Sequence, residues 1–141
     1  MGDVTGDGNI DIVARANGAI HVYSGLGTGS FSAPVSYALG ASTGGVDLGD
    51  VEGVLDIAAL RSDGRVNIYT NGSSGSFTLS ATVVTGGNGN RDHLRVADIN
   101  GDGVGDLLVA RNDGQFEAYV ANTVTSTNVN RVTHLDPLSL Y

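Results

Sequence analysis

A short pattern recurs three times along the chain: Arg, any residue, Asn or Asp, then Gly, with Tyr five residues beyond the Gly. It reads Arg15-Ala16-Asn17-Gly18 to Tyr23, Arg61-Ser62-Asp63-Gly64 to Tyr69, and Arg111-Asn112-Asp113-Gly114 to Tyr119. Steps of 46 and 50 residues belong to propeller blades or solenoid units, whose repeats bury their faces on one another. In each repeat the Asn-Gly or Asp-Gly pair separates two strand-like runs, IDIVARA and AIHVYS in the first. This predicts hairpins closed by two-residue type I′ turns. Further turns, GTGSF at 27–31 and GSSGSF at 72–77, lead into the runs 33–39 and 78–84, and HLRVAD at 93–98 precedes the third hairpin. Four antiparallel strands in about 45 residues make a propeller blade. The expected fold is all-β, with three four-stranded blades at approximately 1–43, 44–91 and 92–133 and the first blade lacking its inner strand.

A nine-residue acidic loop stands ahead of the first and third hairpins, DVTGDGNID at 3–11 and DINGDGVGD at 98–106. Oxygen-bearing side chains fall at loop positions 1, 3, 5 and 9: Asp3, Thr5, Asp7 and Asp11, then Asp98, Asn100, Asp102 and Asp106. Ca²⁺ takes about 6–8 oxygens and accepts such mixed carboxylate, hydroxyl and amide shells, whereas Mg²⁺ demands a tight octahedron. Gly8 and Gly103 permit the sharp turn that would aim the next backbone carbonyl, from Asn9 or Val104, at the ion. Asp, Asn and Gly also dominate ordinary turns, but five matched positions occurring twice favour about two Ca²⁺ per chain. The middle loop, GDVEGVLDIAAL at 49–60, is two residues shorter and has no counterpart to Asp7 or Asp102. Asp50, Glu52 and Asp56 are therefore expected to be solvated loop acids, or at most a weak site.

Composition narrows the function classes. The formal net charge is −8, from thirteen Asp and two Glu against seven Arg. Two bound Ca²⁺ would halve it, so the acidity reads as ligand charge, and nucleic acid is excluded as a natural partner. Cysteine is absent, which removes disulfides and thiol chemistry. There is no membrane-spanning apolar run and no apolar leader. Loops of this type load best where calcium is millimolar, which points to an extracellular setting. Met1-Gly2 fails the myristoylation pattern at Gly6, and Asn71-Gly72-Ser73 is an N-glycosylation triplet of low specificity.

With these pieces in place the chain resembles the FG-GAP or VCBS repeat family, whose blades also build the integrin α-subunit head and several lectins. GDVTGDGNIDIVA and ADINGDGVGDLLVA carry the resemblance, and the GSF turns stand where that family has its Gly-x-Phe turn. The resemblance implies calcium in the loop joining the first two strands of a blade. In the resembling lectins, sugars sit in pockets between blades.

Three blades do not close a ring, since propellers typically have about 4–8. Asn130-Arg131 and His134-Leu135 echo Asn90-Arg91 and His93-Leu94, so segment 134–141 is expected to form the inner strand of a following blade. Two chains would then make one six-bladed ring by strand exchange, as a homodimer. The same termini also fit a piece of a longer propeller. Pro137 demotes a central strand but suits a strand start or an edge.

No catalytic constellation is visible: HExxH and GxSxG are absent, and the Gly-rich stretches lead into strands rather than helices. His21, at the register of Asn67 and Glu117, is expected on a blade surface, and His93 and His134 read as structural or surface residues. Arg15, Arg61 and Arg111 could form a ring that binds an acidic sugar, or could stack and cap carbonyls of the neighbouring blade. Tyr23, Tyr69 and Tyr119 read as blade-packing aromatics, and Phe31 and Phe77 as turn anchors. The expected function is a non-enzymatic, calcium-stabilised module that binds carbohydrate or an extracellular protein. The alternative is a half-propeller whose main property is assembly into a ring.

Overall fold

The computed structural model describes residues 1–51, 55–72, 75–87 and 93–121, and the backbone of 129–135. Those residues form three antiparallel sheets. The first contains β1 (Ile12–Ala16), β2 (Ala19–Tyr23) and β3 (Val35–Ala38), in that order. The second contains β4 (Thr43–Asp50), β5 (Leu55–Arg61), β6 (Arg65–Asn71) and β7 (Phe77–Val84). The third contains β8 (His93–Ala97), β9 (Asp106–Ala110), β10 (Phe116–Ala121) and β11 (Val129–Leu135). Each sheet is a simple meander, as expected of a blade. Where the first would carry its inner strand there is a single bridge, Gly2 to Asp11.

Strand β5 shows how the sheets stack. Its alternating side chains serve two cores: Ile57 and Ala59 join Val4, Ile20, Val22, Leu39, Tyr69 and Phe77, while Ala58 and Leu60 join Val66, Ile68, Leu94, Leu107, Val109 and Tyr119. A strand buried on both faces reads as a continuous apolar run, which is why LDIAAL has no polar alternation after Asp56. Fully burying one such Leu or Ile contributes about 1.5–3 kcal/mol. The inner strands approach one another because β4 is glycine-rich: a Cβ on Gly49 would stand 2.1 Å from Val96 Cγ1. A substitution there would drive β4 off β8.

The hairpin turns differ from one repeat to the next. In the first, Ala16 pairs with Ala19 across Asn17-Gly18, the expected two-residue turn, with Gly18 at φ +74°. In the second and third, Gly64 N donates to Arg61 O and Gly114 N to Arg111 O, and Leu60 pairs with Val66. The loop there has three residues closed by a left-handed glycine, a type I turn with a G1 bulge. The cause is chemical. Asp63 accepts from Arg61 Nε and Nη2 and from Arg65 Nη1, and Asp113 accepts from Arg111 Nη2 and Gln115 N, which braces the wider turn. Asn17 carries no charge to do this.

At the far end, β11 pairs with β10, with His134 opposite Glu117 and Leu135 opposite Phe116. His134 and Leu135 thus extend the outer strand of the third blade, and the expected boundary at 133/134 moves beyond 135. The rest of the anticipated completing strand, 136–141 with Pro137, lies outside the described residues.

Candidate metal loops and an inter-blade pocket

The two acidic loops have the same internal geometry. Asp3 Oδ1 accepts from Gly6 N and Asp7 N at 2.7 and 3.1 Å, and Oδ2 from Gly8 N at 2.8 Å. Asp98 repeats this with Gly101, Asp102 and Gly103 at 2.7, 3.2 and 2.9 Å. The fifth residue reaches forward: Asp7 Oδ1 accepts from Asn9 N, and Asp102 Oδ1 from Val104 N. Asn100 holds Asp102 through both side-chain atoms. The amide of Gly103, followed by those of Gly101, Asp102 and Asn100, outweighs the opposing effect of desolvation and holds the Asp98 carboxyl below its ordinary value. Gly8 and Gly103 both adopt φ +86°, the left-handed turn expected after the third ligand position.

The ninth residue has a different setting. Asp11 is completely buried. Its Oδ2 accepts from Val4 N and Thr5 N, and its Oδ1 from Gly25 N beyond the hairpin. Asp106 accepts from Ile99 N and Ala121 N, and Asp56 from Val51 N and Asn71 N. In all three blades this carboxylate therefore ties the start of the loop to the end of the blade's third strand. For Asp56 the expectation of a solvated acid is overturned, because its side chain is fully buried and accepts from two backbone amides. Glu52 lies outside the described residues, and Asp50 O accepts from Gly105 N of the next blade.

The donor set of each loop is hard oxygen, the chemistry Ca²⁺ requires. Thr5 Oγ1 is buried and has no hydrogen-bond partner among the described residues, so a loop oxygen is left with unused acceptor capacity. The carboxylates of Asp3 and Asp7 are turned to their own loop's amides. Among the described residues no three acidic or histidine side chains gather closely enough to form a preformed metal cluster.

Sequence reasoning misjudged the position two residues before each repeating Tyr. Asn67 and Glu117 are buried, not on a blade surface, while His21 is only half-buried beside Tyr23. Glu117 accepts from Gly86 N of the preceding blade, from Arg111 Nη1 and from Tyr119 Oη. Asn67 Nδ2 donates to Tyr69 Oη, and its Oδ1 accepts from Thr82 Oγ1. The missed signal is the period of two, which puts each of these residues on its tyrosine's face. Two of the three tyrosines reach the preceding blade as expected: Tyr69 Oη donates to Ala38 O at 2.9 Å, and Tyr119 Oη, whose proton faces Glu117, lies 3.4 Å from Val84 O. Phe77 is buried, edge-on to Tyr37, whereas Phe31 is exposed. The Asn71 side chain donates to Val4 O, so the glycosylation triplet's amide is engaged in packing; Ser73 lies outside the described residues.

The recurring arginines do not form a free ring. Arg61 pairs with Asp63 at 2.6 Å, and Arg111 with Asp113 at 2.6 Å and Glu117 at 3.2 Å. Partial burial pushes Asp63 up, but the hydrogen bonds and charges of Arg61 and Arg65 outweigh it and hold the carboxyl below its usual value. Arg15 instead donates to Gly44 O at 2.8 Å. Gly44 is the bulged residue of β4, where pairing skips from Thr43 to Gly45. Around it lies a pocket of about 450 Å³ between β1, β4 and β8, where Arg15, His93 and Arg95 stand beside Val13, Val46 and Leu94.

The profile of the FG-GAP-like repeat family matches residues 3–53 and 52–109. No curated protein matches the chain. Among solved structures the chain is similar to that of an Agrocybe aegerita lectin described for its specific recognition of non-reducing terminal N-acetylglucosamine, with a TM-score of 0.65 and 22% identity. The match covers 95% of this chain and 36% of the lectin chain, so the chain spans about a third of that protein. At this identity the likeness shows a shared fold.

Proposed function

The chain belongs to the FG-GAP-like repeat family, and on that premise we propose that it is a non-catalytic, calcium-stabilised module that binds carbohydrate. The observation carrying this reading is the pocket between blades at β1, β4 and β8. Its volume of about 450 Å³ falls in the range of small-ligand sites, about 300–1,000 Å³. Its lining suits a sugar: guanidinium and imidazole N–H groups for hydroxyls, and Val13, Val46 and Leu94 for the C–H faces. The lectin named above adds support as a protein of the same fold that recognises a sugar.

Calcium enters this proposal as a brace. Asp3, Thr5, Asp7 and Asp11 with the Asn9 carbonyl, and Asp98, Asn100, Asp102 and Asp106 with the Val104 carbonyl, would hold one ion each. The ion's charge would neutralise the loop carboxylates and keep each loop tied to its blade. An extracellular setting, where calcium is millimolar, follows from the same reading.

The test is a glycan array followed by titration of the best hit, with and without a chelator. Binding that falls at least tenfold in Arg15→Gln, a loss of about 1.4 kcal/mol, would support the pocket. A folded protein with no hits, or equal affinity in Arg15→Gln, would reject it.

A further inference from the structure

The middle blade is covered on both sides, and its contacts record how one blade seats on the next. Toward blade 1, the second residue of the acidic loop, Val4, is fully buried in a core with Tyr69 and Phe77. Asn71 Nδ2 donates to Val4 O. The turn before β7 lies on the loop, where a Cβ on Gly75 would stand 3.1 Å from Thr5 Cβ. Phe77 meets Tyr37 edge-on at 5.7 Å. Toward blade 3, Val51 occupies the position of Val4 and is buried in the same way, in a core with Tyr119.

Both halves of this junction recur, uncovered, on the outer blades. Ile99 has the loop position of Val4 and Val51, yet it is 46% exposed. Phe31 stands eight residues after Tyr23, as Phe77 does after Tyr69, yet it is 41% exposed against 5% for Phe77. Gly29 corresponds to Gly75, with φ +82° against +71° and nothing within 4 Å of a Cβ. Leu26, in the same turn, is 55% exposed. One face thus carries the loop half of a blade junction and the other carries the turn half.

We propose that these two faces are one interface, occupied head-to-tail by a second copy of this chain, with Ile99 and Asn100 of one copy under the Phe31 turn of the other. The argument is continuity with the junctions already present between blades, and it requires no exchanged strand. It is also independent of any sugar. A heterologous contact either closes into a ring or runs on as a filament. Two copies of three blades give six, within the about 4–8 at which propellers close.

The experiment is sedimentation or light scattering of the full chain in millimolar calcium. The wild type is expected near twice its 14.3 kDa mass, and Ile99→Asp and Phe31→Asp are each expected as folded monomers by circular dichroism. Leu79→Asp, on an exposed site of the middle blade's outer strand, should leave the mass unchanged. Mixing the Ile99→Asp and Phe31→Asp chains supplies one wild-type junction per pair, so the mixture should recover dimers that neither forms alone. A monomeric wild type, dimers of Ile99→Asp, or a mixture that stays monomeric would each overturn the inference.

Discussion

The middle and third acidic loops end on the same buried aspartate and differ at their rims. Asp56 and Asp106 are both fully buried, and each holds one amide at the loop start and one at the end of the third strand. The third loop carries Asp98 and Asp102, exposed and turned to neighbouring amides, while the middle loop has Asp50 at the first position and no counterpart to Asp102. The contrast separates two roles that a ligand-position count merges. The ninth residue has a part in the blade that does not depend on an ion, in addition to its proposed part as a ligand, whereas the rim carboxylates serve only the loop.

Breaking the shared element should have the largest effect. Asp56→Ala and Asp106→Ala should each lose roughly 1–4 kcal/mol in urea unfolding, because one buried amide and one partly buried amide lose their acceptor, at up to about 1–3 kcal/mol each. The Asp56 loss should be the same in calcium and in chelator. If Asp56→Ala costs nothing, the separation of roles is wrong.

Sharpening the contrast means titrating the ion. A loop saturated at a hundredfold over its Kd adds about 2.7 kcal/mol, so calcium should raise the Tm of the wild type. Asp102→Ala, which makes the third loop resemble the middle one, should remove that loop's share. A Tm that is the same in calcium and chelator would leave the loops as ordinary turns.

Gly103→Ala probes the rim backbone alone. A Cβ there meets nothing within 4 Å at φ +86°, so the cost is that of a left-handed residue, about 1–2 kcal/mol.

Acid should act on the rim in a defined direction. Asp98 has its carboxyl lowered from 3.8 by backbone amides, Gly103 first. Its contribution is therefore present above that value and fades as pH falls through the lower folded one. In chelator, an Asp98→Asn variant should show a flatter loss of stability below this pH than the wild type.

The smallest effect belongs to Arg65→Gln, whose partly exposed pair with Asp63 at 2.8 Å should be worth within about 0.5 kcal/mol.

Much of the fold was legible before any coordinates, because the signals are local. The Arg-x-Asn/Asp-Gly period located one hairpin in each sheet, and the glycine after the third ligand position located a left-handed turn that backbone sterics require. The chain's own residues also marked the middle loop as the one lacking a central carboxylate. The sequence did not reveal the width of the second and third turns, since Asp63 and Asp113 resemble Asn17 until their arginine partners are seen around them.

Sequence alone thus determined the repeat, the strands and the oxygen donors of the loops, all set by neighbours a few residues apart. Tertiary structure decided which of those oxygens are buried and which surfaces stay open. Asp56 meets Asn71, Glu117 meets Gly86, and among the described residues Ile99 meets no counterpart of the core that covers Val4. Burial is conferred by another strand or the adjoining blade, at separations that no local pattern encodes.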